Sequence, residues 1–232
     1  MIDLSFLGGG PAPPGAFARD TAVLLIGWAL GILSSPVTDA IRRRSAKQRL
    51  TRSVSTELRS LQDTLASVVL QVAKRRHVLT RSLLEALMST LKSSGQVVAD
   101  GRALRTIAGL LELDERAWVA SQASDHLQGA GILSLKVYGL PFLESHLHRL
   151  ELYTHDTQRL LVEIRAGVQL FNQLADEAQH YHFMTFASGI DQDRVESLVA
   201  SMEACYERAA ETASDLVSRI AALLQSGEMR TS

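Results

Sequence analysis

Apolar side chains recur every three or four residues along three long stretches of this chain. The stretches run from about 45 to 91, from 141 onward for about 40 residues, and from about 191 to 225. This spacing is typical of helices that bury one face. No segment of any length shows the two-residue alternation of a strand. The sequence therefore predicts an all-α protein, with a bundle of three long helices over residues 42–232.

Glycine, proline and serine mark the breaks between these helices. "SSG" at 93–95 stops the first helix, and two short helices are expected between 100 and 128, the second capped by Asp114. The Gly-rich segment 129–141 predicts a crossover loop or a short strand. Pro141 suits a first helical turn, and Asp191 is the expected N-cap of the third long helix. Since the turn before Asp191 is short, the second and third long helices should be antiparallel neighbours.

An uncharged run precedes the bundle. Thr21 to Thr38 contains no charged residue, and these 18 positions would cover about 27 Å as a helix, just enough for a hydrocarbon core. Basic residues follow the run: Arg42, Arg43, Arg44, Lys47 and Arg49. The positive-inside rule then predicts a single-pass transmembrane anchor at 21–41 in the bacterial inner membrane. The Gly/Pro-rich residues 1–20 would form a mobile tail outside, and 42–232 would be cytoplasmic.

The apolar run has two other interpretations. A cleaved signal peptide would carry its basic cluster before the apolar run rather than after it, and a buried or interfacial helix would need a polar face. Within the predicted anchor, Gly27, Gly31 and Ser35 place small side chains on one helical face. Because small residues allow close helix contact in a bilayer, this face predicts a homodimer or a larger oligomer.

The formal net charge of -1 hides a segregation of charge. Residues 42–92 contain 12 basic and 3 acidic residues, whereas 93–232 contain 11 basic and 19 acidic residues. The two halves should pack together and neutralise, or the basic half should meet anionic lipid or an acidic partner. The cluster Lys74, Arg75 and Arg76 has the same two interpretations: pairing with acids of the second half, or binding a phosphate group. No nucleic-acid partner is expected.

Few residues suggest chemistry. The sequence has no phosphate-binding loop, HExxH motif, zinc cysteine pair or nucleophile elbow. The single cysteine, Cys205, falls in an apolar stripe and is expected in the core. Metal-ligating residue types recur with helical spacing at four positions, and these are weak candidates for a metal site: Glu144, His148, Glu151 and His155.

The leading functional hypothesis is a non-enzymatic interaction protein without a cofactor, tethered to the bilayer, that holds a protein partner or a second copy of itself. One alternative is a signalling or stress and defence effector that acts through oligomerisation. The other is a metal-dependent enzyme that uses the Glu/His helix face. No motif is specific enough to indicate a family.

Overall fold

A computed structural model describes residues 16–97, 101–127, 133, 135–187 and 191–229, without the side chains of 16–24, 26–27, 29–37 and 122–127. Within these ranges every regular element is helical and no strand is present, which confirms the all-α prediction. The elements are α1 (Ala16–Arg75), α2 (Arg81–Ser93), α3 (Arg102–Leu111), α4 (Glu115–Leu127), α5 (Pro141–Ser145), a 3-10 helix (Leu147–Leu152), α6 (His155–Met184) and α7 (Gln192–Gln225).

The predicted helix over 45–91 is divided in two. α1 ends at Arg75, and His77 adopts a left-handed backbone conformation with φ of 56°. A residue in this conformation cannot continue a right-handed helix, and a residue other than glycine rarely adopts it. α2 begins after Thr80, whose hydroxyl accepts a hydrogen bond from the Leu83 amide at 3.2 Å. The division falls at "KRRH", where the apolar stripe is interrupted. The apolar stripe was predicted correctly, since these of its positions are buried: Leu50, Val54, Leu58, Leu61, Leu65, Val68, Val72, Leu79, Leu87 and Leu91.

The second predicted long helix is also interrupted. It begins at Pro141 as expected, but it consists of α5, the 3-10 helix and α6. Thr154 is extended, with ψ of 156°, and its amide and hydroxyl bind the Glu228 carboxylate. The Glu228 carboxylate therefore stabilises the start of a separate helix, α6, at His155. Burial nevertheless follows the predicted stripe at Leu143, Leu150, Leu161, Ile164, Val168, Phe171 and Ala178.

α6 and α7 form the antiparallel pair that the sequence predicts. Asp191 is the N-cap, and its carboxylate accepts a hydrogen bond from the Arg194 amide at 2.8 Å. Arg219 on α7 bonds Glu163 on α6 at 2.7 Å. Gly167 lies so close to Leu216 that a Cβ atom would meet the leucine methyl at 2.7 Å. The two helices therefore pack tightly along much of their length.

Acidic side chains of α1 cap two helices from a distance. Asp63 accepts hydrogen bonds from the backbone amides of Arg102 and Ala103, both at 3.0 Å, at the start of α3. Glu57 accepts from the amides of Phe142 and Leu143 at the start of α5. Neither helix has a side-chain cap of its own. α4, by contrast, starts with the predicted local cap, Asp114, which accepts from the Ala117 amide.

The prediction of a membrane anchor and of an inner-membrane location is wrong. Among the residues that the structure describes, no helix is both long and apolar enough to cross a bilayer. The chain forms two compact units, one up to Gln48 and one from Arg49 onward.

Candidate functional site

The second compact unit contains a cavity of about 260 Å³, which we call the α6–α7 cavity. Carbon atoms make up much of its wall, from Leu133 and Leu135 before α5 and from Ala175, Ala178 and Phe183 on α6. Three polar side chains complete the lining: Gln179, His182 and Tyr206. An apolar cavity with a few polar groups is the usual form of a small-ligand site.

Among the polar residues of this lining, His182 has a ring nitrogen without a hydrogen bond. Its Nε2 atom is enclosed and has no hydrogen-bond partner among the described residues. The imidazole lies edge-on to the ring of Phe186, with centroids 5.0 Å apart, and 5.8 Å from the ring of Phe183. An enclosed polar atom without a partner costs a fold about 1–3 kcal/mol.

Tyr206 joins the cavity to the end of α1. Its hydroxyl donates to the carbonyl of Leu133 at 2.7 Å, and burial raises the pKa of its phenol. The guanidinium of Arg75 lies over the Tyr206 ring at 5.4 Å and donates to Glu203 at 2.8 Å. The hydroxyl of Tyr206 is therefore already used within the protein and fixes the Leu133 side of the cavity.

The basic cluster Lys74, Arg75 and Arg76 lies where α1 meets α7. Arg75 pairs with Glu203, and Arg76 pairs with Glu207 one helical turn later. This is the pairing between basic and acidic halves that the charge segregation predicts. Since both guanidinium groups bind carboxylates of α7, Arg75 and Arg76 connect the end of α1 to α7 through ion pairs.

Cys205, next to Tyr206, is buried as predicted. Its thiol lies 3.7 Å from a carboxylate oxygen of Glu177 on α6. Burial, together with this neighbouring negative charge, raises the pKa of the thiol. A thiol held in its protonated form is a poor nucleophile, which fits a packing role.

The four metal candidates do not share one helical face. Glu144 lies in α5, His148 and Glu151 lie in the 3-10 helix, and His155 begins α6. All four side chains are exposed, and Glu144 forms an ion pair with Arg165 at 3.9 Å. In the described part of the chain no group of three or more His, Cys, Asp or Glu is arranged to hold a metal ion. The expected spacing failed because it assumed one uninterrupted helix.

The remaining predicted residues lie on α1, and all of them except Arg49 belong to the first compact unit. Gly27, Gly31 and Ser35 lie in α1, but their surroundings are outside the described residues. Arg42, Arg43, Arg44 and Arg49 are exposed on α1, and Lys47 is half-buried.

One end of the α6–α7 pair carries exposed aromatic rings beside acidic residues. Phe183 and Phe186 expose 62% and 70% of their surface. The contact between Glu177 and Cys205 sets the register of the antiparallel pair. Phe183, six residues further along α6, and the exposed Val199, six residues earlier on α7, therefore lie at the same end of the pair. The start of α7 adds exposed acids at 191, 193 and 196. We call this surface the aromatic–acidic end: Phe183, Phe186, Val199, Asp191, Asp193 and Glu196.

The residues of the cavity and of this end were largely missed by sequence reasoning. The run "HYHF" at 180–183 was not recognised as part of a site. Its four ring side chains were the available signal, whereas Leu133 and Tyr206 come together only in the fold.

No protein-family model matches this chain, and no curated protein or solved structure is significantly similar to it.

Proposed function

We propose that this chain is a non-enzymatic helical interaction protein that binds a basic amphipathic helix of a partner protein at the aromatic–acidic end. The observation that carries the proposal is the exposure of Phe183 and Phe186, three residues apart in the sequence, at the C-terminal end of α6. Adjacent exposed aromatic rings are costly in water and are enriched at protein interfaces.

Charge supports a basic partner. Between 191 and 196 the chain has three acidic residues and one arginine. A partner helix with apolar side chains on one face and lysine or arginine along its edge would match both the rings and the acids. Apolar contacts would supply most of the affinity, and the charges would supply orientation and faster association.

The test uses a synthetic amphipathic peptide of leucine and lysine as the probe. We expect the full chain to bind it in a fluorescence anisotropy titration, and the double variant Phe183→Ser, Phe186→Ser to weaken binding at least tenfold. Val162→Ser, Leu170→Ser is the matched control, because these exposed apolar residues also lie on α6 and their loss should leave binding unchanged.

The same titration has clear contrary outcomes. Equal binding by the serine variant and the native chain would overturn the proposal. Binding of an acidic amphipathic peptide as strongly as the basic one would contradict the charge argument. Self-association of the native chain in sedimentation, abolished by the serine variant, would replace the partner helix with a second copy of this chain.

A further inference from the structure

We propose that the α6–α7 cavity receives one large aromatic side chain of the partner helix, and that tryptophan fits it best. The inference rests on the proposed function, since it says which residue anchors the basic amphipathic helix and where. Three observations carry it. The cavity is open to solvent on one side, its wall is mainly carbon, and Phe183 belongs both to that wall and to the aromatic–acidic end.

The cavity continues the aromatic–acidic end along α6. Gln179 and Phe183 are exposed, line the cavity and lie one helical turn apart on the same side of α6. Phe186 follows Phe183 after one more turn, and its amide donates to the Phe183 carbonyl at 3.2 Å. Two helical turns cover about 10 Å, the length over which a partner helix presents side chains at i, i+3 or i+4, and i+7. A helix that lies along both phenylalanine rings therefore also places a side chain at the cavity.

The size and the wall of the cavity favour a ring. A cavity of about 150 Å³ lined by apolar side chains accepts benzene, and the volume here is about 260 Å³, so an indole has room. Leu133, Leu135 and Ala175 offer it carbon contacts. The rings of Phe183 and Tyr206 belong to the same wall, and aromatic pairs gain energy beyond that of their buried area. This favours a ring over leucine, and tryptophan is among the residues that most often anchor an interface.

The charges give the anchored helix a direction. Asp191, Asp193 and Glu196 lie at the start of α7, at the same end of the helix pair as Phe186. The cavity reaches back along α6 to Ala175, and none of its lining residues is an aspartate, glutamate, lysine or arginine. The lysines of the partner should therefore lie at the acidic end, and its tryptophan about two turns away from them.

Anisotropy titrations of the full chain with versions of the leucine–lysine peptide test the inference. The versions carry tryptophan, leucine or alanine at one position of the apolar face, two turns from a lysine-rich end. We expect tryptophan to bind at least about tenfold more tightly than alanine, as a buried anchor does, and about two- to tenfold more tightly than leucine. An isomer in which the tryptophan exchanges places with a lysine of the polar face is the control and should lose this advantage.

Filling the cavity provides the second arm. Ala178→Leu adds carbon to the cavity wall and should abolish the advantage of tryptophan over alanine, while the alanine version binds as it does to the native chain. Unchanged binding of the alanine version shows that the variant is folded. If that binding is lost, Ala175→Val makes the same change with less added volume. Ala222→Leu, at an exposed position of α7, is the control and should keep the full advantage.

The outcomes separate the anchor from the proposed function. Equal affinity of the native chain for the tryptophan and alanine versions, or an advantage of tryptophan that survives filling of the cavity, would overturn the anchor. The proposed function would still stand if binding of the alanine version depends on Phe183 and Phe186. Equal binding of the alanine version by the native chain and by Phe183→Ser, Phe186→Ser would instead overturn the proposed function, and no binding of any version would overturn both.

Discussion

At the residue scale, Gln62 shows how one buried amide connects three parts of the chain. The side chain is fully buried on α1, and its Nε2 donates to the carbonyl of Val217 on α7 at 2.9 Å. Its Oε1 accepts from the hydroxyl of Ser94 at 2.7 Å and from the amide of Gln96 at 2.9 Å. A buried amide is tolerated when both of its ends are bonded, as they are here.

Replacing this amide should therefore destabilise the fold. Gln62→Leu should lower the free energy of unfolding by about 1–3 kcal/mol, because it removes the hydrogen bonds of this amide to Val217, Ser94 and Gln96. Gln71→Leu, on an exposed position of the same helix, should change it by less than about 0.5 kcal/mol. Urea denaturation followed by circular dichroism measures both values, and equal losses would show that the network is not important.

At the scale of elements, the three acidic residues of the basic segment 42–92 have different roles. Of its three acids, Glu57 caps α5, Asp63 caps α3, and Glu85 is exposed on α2. Asp63→Ala and Glu57→Ala should each cost about 0.5–2 kcal/mol, the usual value of an N-cap. Glu85→Ala is the matched control and should be close to neutral.

Hydrogen exchange locates these effects. Loss of Asp63 should speed exchange at the first amides of α3, and loss of Glu57 should do the same in α5. Faster exchange spread evenly over the chain would mean that the carboxylates act on general stability rather than as caps.

The elements also show what sequence can predict. Apolar stripes and local caps such as Asp114 and Asp191 depend on residues three or four positions apart, so they could be recognised. The breaks at His77 and Thr154 depend on a backbone angle and on Glu228, which lies 74 residues from its partner. The α6–α7 cavity brings Leu133 to Tyr206, and no short spacing connects those residues.

At the scale of the whole molecule, buried phenols and a buried thiol link folding to alkaline pH. Burial raises the pKa of Tyr138, Tyr153 and Tyr206, and burial with Glu177 raises that of Cys205. Above pH 9.0, the ordinary value for the thiol, the unfolded chain releases protons that the folded chain retains. Stability must then fall as the pH rises.

We expect the free energy of unfolding to show no loss from these groups below about pH 8 and to decline steadily from about pH 9 to 11, since the unfolded groups titrate there. Cys205→Ala should reduce the decline in the lower part of that range. Urea midpoints measured at half-unit pH intervals give the slope. A midpoint that stays constant to pH 11 would contradict the burial of these groups.

The distant caps have a consequence for the order of assembly. α3, α5 and α6 lack side-chain caps of their own, and their first amides bind carboxylates that lie 39, 85 and 74 residues away. Each loop must close, at a cost in chain entropy, before the helix start is completed. Contacts of this range slow folding and disfavour forms in which single helices persist alone. Helices that depend on one another in this way should form and melt together.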